Sequence, residues 1–179
     1  MKTIESSRLV LRGFQLEDAS DVFDYAKRED VGPKAGWKPH SNQRESHEII
    51  ERFIEKDDVY AIVFKENQKV IGSLGIHFTT LGTFGEVFEL GYVLHPDYHR
   101  KGIMYEAIML ALDWFFLHEN HEQIYVGHFI ENIASQQLIH KLGFEWVEDI
   151  LYHSRDYGEK KSKIYQLSQN QYRLLRRNG

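Results

Sequence analysis

From Gly102 to Phe116 the chain reads as a helix with apolar side chains at almost every angle: Ile103, Met104, Ala107, Ile108, Leu110, Ala111, Leu112, Trp114 and Phe115. A helix apolar nearly all round has to be buried. The stretch is shorter than the roughly 18 nearly uncharged residues a bilayer span needs, and Glu106 and Asp113 interrupt it. It must therefore be covered from within a folded domain, and the strand-like segments on either side of it point to a sheet as the cover. A chain of 179 residues with 42% hydrophobic content has the material for such a core, so wholesale disorder is excluded.

Hydrophobic periodicity places the rest. Leu9 and Leu11 alternate with polar neighbours as a short strand. Leu16 to Arg28 switches to helical spacing, with Glu17 and Asp18 in the first turn. Two Gly and two Pro between Asp30 and His40 mark a loop around Trp37. Asn42 and Glu45 make a capping box for a second helix carrying Ile49, Ile50, Phe53 and Ile54. Tyr60–Phe64, Val70–Phe78 and Val87–Leu94 read as three strands of an antiparallel meander. After the buried helix come a strand at Ile124–Phe129 and a helix at Ile133–Leu142 stopped by Gly143. Two closing strands follow, Phe144–Tyr152 and Lys163–Leu167, joined by a polar loop, and Gln171–Arg177 is one basic helical turn. The order β-α-α-β-β-β-α-β-α-β-β predicts an α/β (α+β) fold. About seven strands form a mixed, mostly antiparallel central sheet with helices on both faces. No repeat or linker breaks the chain, so residues 1–179 read as a single domain, with a core of about 7–168 and a short basic tail at 169–179.

Composition removes whole classes of function. With no cysteine there is no disulfide framework, zinc-thiolate site, iron–sulfur cluster or cysteine nucleophile. A net charge of -5 argues against a chain-wide polyanion partner. Arg173, Arg176 and Arg177 form a small basic patch that reads as a solvated tail, so no nucleic-acid partner is expected. His118-Glu119-Asn120-His121 is not HExxH, and the ten histidines form no metal-site pattern, so no metal is expected. There is no Gly-x-Ser-x-Gly elbow, P-loop or GxGxxG. Met1–Glu5 lacks the apolar run of a secretion signal, and the expected location is cytoplasmic, with no membrane partner.

The sharpest chemistry lies where the third meander strand meets the buried helix. The strand ends at Leu94, Pro96 bars its extension, and a basic loop, His99-Arg100-Lys101-Gly102, opens the helix at Ile103-Met104. A helix N-terminus offers N–H groups without internal partners and the positive end of the dipole, and glycine lets a ligand approach the backbone closely. Read physically, this is either a pyrophosphate site or an ordinary surface turn before a core helix.

His99-Arg100-Lys101-Gly102-Ile103-Met104 resembles the acyl-CoA motif (Gln/Arg)-x-x-Gly-x-(Gly/Ala) of the GCN5-related N-acetyltransferases, the GNAT superfamily. His99 stands for Gln/Arg and Met104 for the last small residue. Two further segments are similar to that family: Glu131-Asn132-Ile133-Ala134-Ser135 with Lys141-Leu142-Gly143-Phe144, and Ser7-Arg8-Leu9-Val10-Leu11-Arg12. The latter resembles the opening strand of the RimJ/RimL-like branch, which acetylates ribosomal-protein N-termini.

The resemblance implies a GNAT-like fold and an acetyl-CoA-dependent N-acetyltransferase acting directly, through a ternary complex. The acceptor would be a primary amine, either a protein N-terminus or a small molecule. It implies cofactor contacts at Leu94, His99, Arg100, Lys101, Gly102, Ile103, Met104, Asn132 and Ser135, with the backbone of the Leu90–Leu94 strand facing coenzyme A. The Tyr92 N–H is the oxyanion donor, Glu89 is the general base, in competition with Glu86, and Ser135 contacts the departing sulfur. The tyrosine acid that many members carry four residues before Gly-Phe is replaced by Ile139. The acceptor is expected between the Asp30–His40 and Ser154–Lys161 loops, near Trp37, His40, His77 and Tyr157. The alternative is a non-catalytic CoA-binding module or sensor of the same fold, and the protein is expected as a monomer or homodimer.

Overall fold

The structure is a computed structural model that describes residues 1–178, with Asn178 described in its backbone alone. Its elements are β1 (Ile4–Glu5), β2 (Leu9–Gly13), α1 (Ala19–Ala26), α2 (Gln43–Lys56), β3 (Val59–Phe64), β4 (Lys69–Thr80) and β5 (Glu86–Leu94). There follow α3 (Ile103–Asp113), β6 (Gln123–Phe129), α4 (Ile133–Lys141), β7 (Glu145–Ser154), β8 (Gly158–Ser168) and α5 (Gln169–Asn178). All eight strands join one sheet in the order β1-β2-β3-β4-β5-β6-β8-β7. Every pairing is antiparallel except β5 with β6.

Two apolar layers sandwich the sheet. On one face Val22, Tyr25 and Ala26 of α1 and Ile50 of α2 pack on Val59, Ala61, Val63 and Val70. On the other, α3 lies on Leu9, Leu11, Ile62, Leu74, Leu90 and Val126. Ile103, Ala107, Ile108, Ala111 and Leu112 are each at most 1% exposed, which bears out the burial demanded by the helix's composition. The helix then loosens into a π-helical turn at Trp114–His118.

Several sequence expectations shift. An eighth strand, β1, pairs Ile4 with Leu11 and Glu5 with Val10. Leu16–Asp18 is a 3-10 turn ahead of α1, held by the Asp18 carboxylate, which accepts from Arg12 and the Gln15 N–H. Asn42 caps α2 by accepting from the Glu45 N–H, but the Glu45 carboxylate reaches back to the Ser41 N–H rather than to Asn42. The last two strands run further than expected, so the polar loop shrinks to a turn at residues 155–157. The basic tail is a ten-residue helix, α5, rather than one turn. Tyr172 anchors it, fully buried, its hydroxyl donating to Asp113 and to the Met109 carbonyl. Gly179 of the expected tail lies outside the described residues.

Candidate active site

The site begins with a pairing that stops early. β4 and β5 stay in register from Gly72↔Leu94 to Thr80↔Glu86, but β5 meets β6 only at Glu89↔Tyr125 and Leu90↔Val126. Beyond Leu90 the two strands part. Successive residues of a strand aim their N–H and C=O groups at opposite edges. The His95 N–H donates to Ile71 O, so the odd-numbered residues of β5 face β4. Tyr92 and Leu94 therefore turn their backbone groups into the gap. His99 folds back over it, its Nε2 3.0 Å from Leu94 O.

A cavity of about 260 Å³ fills the gap and is lined from both faces of the sheet. On the α3 face lie Tyr92, His128, Asn132 and Ser135. Asn132 caps α4, its Oδ1 accepting from the Ser135 N–H at 3.2 Å. The Tyr92 and Ser135 hydroxyls are 2.7 Å apart. Burial pushes the Tyr92 phenol up to about 12, against the opposing pull of Ser135, so it keeps its proton at neutral pH. Ile139, four residues before Gly143, is buried in the core and does not reach the cavity.

On the opposite face stand His77, Glu89, Phe129, Tyr152 and Ser162, with Lys34 at the rim. Gly127 lies beside Glu89, and a Cβ built there would press on Ile164 Cδ1 at 2.9 Å while meeting the Glu89 carboxylate only at an ordinary 3.8 Å. Burial raises the Glu89 pKa, offset in part by His77. The Tyr152 phenol is raised too, first by burial and then by Glu89. Glu86, the competing carboxylate, is exposed at the start of β5 and does not line the cavity.

At the far end of the gap the chain turns into α3. Arg100 and Gly102 both take left-handed backbone, with φ of 59° and 72°. The first bond of the helix runs from the Glu106 N–H to Gly102 O. Among the described residues, the N–H groups from Arg100 to Tyr105 have no hydrogen-bond partner. Consecutive free N–H groups at a helix N-terminus form an anion cradle. Arg8 braces it, donating to Lys101 O at 3.0 Å and forming a salt bridge with Glu106. Ile103 and Met104 offer the cradle their backbone only, because both side chains are buried in the core. These residues fit a pyrophosphate-bearing donor: six free donors and open space over Gly102, where a built Cβ meets nothing nearer than Arg8 at 3.8 Å.

The structure gathers Glu89, Tyr92, Asn132, Ser135 and His77 around one cavity. It sets the other three acceptor-side residues apart. His40 is buried against Ser46, with its pKa lowered by burial. Trp37 packs at a tilt against His40 and over Gly32, and Tyr157 is exposed at the β7–β8 turn. The two loops expected to flank the acceptor touch each other, since Asp156 bonds Gly36 O and the Lys38 N–H. Tyr152, Gly127, His128 and the Tyr92 hydroxyl escaped the sequence reading. Strand alternation after Glu89 carried the one available signal, for Tyr92 alone. Among the described residues no group of three or more His, Asp or Glu side chains is placed to hold a metal ion, and no helix is long and apolar enough to cross a membrane.

Comparison with known proteins agrees with this geometry. An uncharacterized N-acetyltransferase of Bacillus licheniformis, p20, is 27% identical over 169 residues, 92% of each chain. A GNAT-family acetyltransferase from Bacillus anthracis has the same fold, with a TM-score of 0.82 at 18% identity over 94% of this chain and 99% of that one. So does a ribosomal-protein-S5-alanine acetyltransferase from Vibrio fischeri, with a TM-score of 0.76 at 19% identity over 96% and 99% of the two chains. Residues 8–145 match the family model of the acetyltransferase (GNAT) domain. With that match, and with a fold and a phosphate cradle that suit it, the chain belongs to the GNAT acetyltransferases, enzymes that take an acetyl group from acetyl-CoA and place it on an amine.

Proposed function

We propose that this enzyme acetylates a primary amine carrying a single positive charge, and that the acceptor is a protein N-terminus, as in the RimJ/RimL-like branch. The observation that carries the reading is the gap beyond Leu90: the chain runs from it into the phosphate cradle, and its cavity holds a single half-buried carboxylate, Glu89, on the face away from α3. Polyamines call for several carboxylates. Here Glu89 is the one carboxylate on the cavity, and Lys34 stands at the rim. The edge of β6, freed where β5 departs, offers the Gly127 backbone and the Phe129 N–H to an extended peptide, the Phe129 carbonyl being taken by the Asn132 N–H and His128. The fold shared with the Vibrio fischeri S5-alanine acetyltransferase supports the same acceptor class. A cytoplasmic location and a single domain belong to this reading.

Acetyl-CoA supplies an activated acyl carbon, and the chain's residues do the rest. The cradle from Arg100 to Tyr105 holds the pyrophosphate. The Tyr92 N–H donates to the thioester oxygen, where charge grows as the amine adds. Glu89, held above the ordinary carboxylate range by burial, accepts the proton an ammonium must lose before it can attack. Ser135, hydrogen-bonded to the Tyr92 hydroxyl, donates toward the departing sulfur.

Thiol release from acetyl-CoA, measured against peptides with free N-termini, their N-acetylated counterparts and spermidine, tests the proposal. Turnover confined to free-N-terminal peptides is expected. Preference for spermidine would overturn the acceptor assignment.

A further inference from the structure

Glu89 must pass its proton on before the next cycle, and the structure holds a group beside it that the mechanism so far leaves idle. His77 of β4 is the direct cross-strand partner of Glu89. Such partners share a face and stand about 5 Å apart at Cβ. His77 Nδ1 lies 2.7 Å from Asp58 Oδ2. A carboxylate only accepts, so Nδ1 carries the hydrogen and Nε2 of the neutral ring keeps its lone pair. The ring lies over Gly75 and Gly91, themselves a cross-strand pair. A Cβ at Gly75 would sit 2.4 Å from Nε2, and one at Gly91 3.7 Å from it. The absent side chain of Gly75 thus makes the bed that lets the imidazole lie along the cavity wall, and Gly91 borders it at contact distance. The other face of the exchange is solvent, since 40% of the His77 side chain remains exposed. The groups facing this wall are Asp58 from the α2–β3 connection, Glu89 from β5 and Tyr152 from β7.

We propose that His77, oriented by Asp58, is the proton outlet for Glu89, an inference that rests on Glu89 acting as the base. An N–H bond of the substrate ammonium breaks as an O–H bond forms on Glu89. Because the two side chains make no direct hydrogen bond, one water carries the proton between them: the Glu89 O–H bond breaks as an O–H bond forms on the water, and an O–H bond of that water breaks as Nε2–H forms on His77. Glu89 is left ionised for the next cycle, and an imidazolium sits beside the Asp58 carboxylate. The exposed edge of the ring returns the proton to water. Asp58 is a positioning residue: it fixes the tautomer and compensates the imidazolium charge.

The test is steady-state kinetics of the full-length enzyme with acetyl-CoA and a peptide acceptor, run with rising imidazole at constant pH and ionic strength. His77→Gln removes the proton acceptor and should lower kcat about 10- to 100-fold, within the range of general acid–base contributions. Its acetyl-CoA affinity should stay within about twofold of wild type, because His77 lies on the opposite face from the cradle. Imidazole should restore part of the lost rate in the variant and leave wild type unchanged. Gly75→Ala keeps His77 but pushes its ring off the bed. The added methyl meets ring atoms that can swing aside rather than backbone, so the fold is kept. It should reproduce both the loss and the rescue, and it stands in should His77→Gln fail to fold. A kcat within twofold of wild type, a loss confined to KM, or a loss that imidazole does not relieve would each overturn the outlet. Glu89→Gln separates the two ideas. If it retains full activity the base assignment fails and the outlet with it, whereas an inactive Glu89→Gln beside an unimpaired His77→Gln sinks the outlet alone.

Discussion

Replacing Gly102 by alanine probes the phosphate cradle with a perturbation whose size can be worked out. Gly102 sits at φ 72°, a region that costs a residue with a Cβ about 1–2 kcal/mol. Crowding adds nothing in the free enzyme, since the nearest atom to the new methyl is Arg8 Nη2 at 3.8 Å. The penalty is therefore one of backbone conformation, and it can fall in two places. If the turn keeps its shape, folding bears it. In a chain of this size about 1 kcal/mol lowers Tm by roughly 2–4 °C, so the expected drop is about 2–8 °C. If the turn relaxes instead, the N–H groups around it swing out of line and the same free energy is taken from acetyl-CoA binding, a factor of about 5–30 in Kd. In either case the methyl stands where the phosphates approach, so Kd rises. Scanning calorimetry of the free enzyme and isothermal titration with acetyl-CoA measure the two quantities on one preparation. A lower Tm with unchanged Kd refutes close approach of the ligand to Gly102. Unchanged Tm and unchanged Kd together refute the whole account of the turn.

Glu89→Gln should raise the Tm of the free enzyme around pH 8, with the gain vanishing by about pH 4. Burial lifts the carboxyl's pKa in the folded state, so its stabilising protonation is complete below the unfolded pKa and lost as pH rises through the folded one, a loss glutamine never suffers; a gain independent of pH would contradict this. Tyr92→Phe and Ser135→Ala each break the same 2.7 Å hydrogen bond, so in a double-mutant cycle on kcat the double variant should be no slower than the slower single one. Multiplying losses would show that the two hydroxyls act separately. Arg12→Met leaves the Asp18 carboxylate, 7% exposed, without its bidentate partner. The expected cost is about 3 kcal/mol, or a Tm lower by roughly 6–12 °C, with acetyl-CoA affinity intact, and a drop under about 2 °C would refute the pair's structural weight.

What could be read from the sequence depended on whether a residue's neighbours were near in the chain. The Ile103–Phe115 run declared α3 because its apolar pattern is local and too strong to be satisfied by anything but burial. Leu94 ended β5 because Pro96 stands two residues on. By contrast, Ile4 and Glu5 are too few to show a period, and their strand exists only through pairing with Val10 and Leu11. The sequence of α5 is polar almost throughout and looks like a solvated tail. Its hold comes from Asp113, 59 residues before Tyr172, and from Leu175 lying on Gly143. The β7–β8 hairpin outran expectation for a related reason. β7 is an edge strand with Trp146 and Leu151 exposed, so its outer positions carry no alternation that burial would have imposed.

The same rule explains why the missing tyrosine at position 139 was legible and the hydroxyl pair was not. Its absence is a statement about one position relative to Gly143 and Phe144, and a motif can make it. The Tyr92–Ser135 pair spans 43 residues. Tyr92 reaches Ser135 because β5 alternates: Phe88, Leu90, Tyr92 and Leu94 face α3, while Glu89 faces the acceptor side. The alternation puts the Glu89 carboxylate on one face of the sheet and the Tyr92 hydroxyl on the other, and the parting of β5 from β6 after Leu90 lets both reach a single cavity. A phenol at position 139 would have to displace core packing where Ile139 is 0% exposed. With the α4 position committed to the core, the hydroxyls on the α3 face of the cavity are those of Tyr92 and Ser135, 2.7 Å apart, and the donation toward sulfur proposed above falls to that pair, with the Tyr92 phenol protonated behind Ser135, rather than to a phenol at 139.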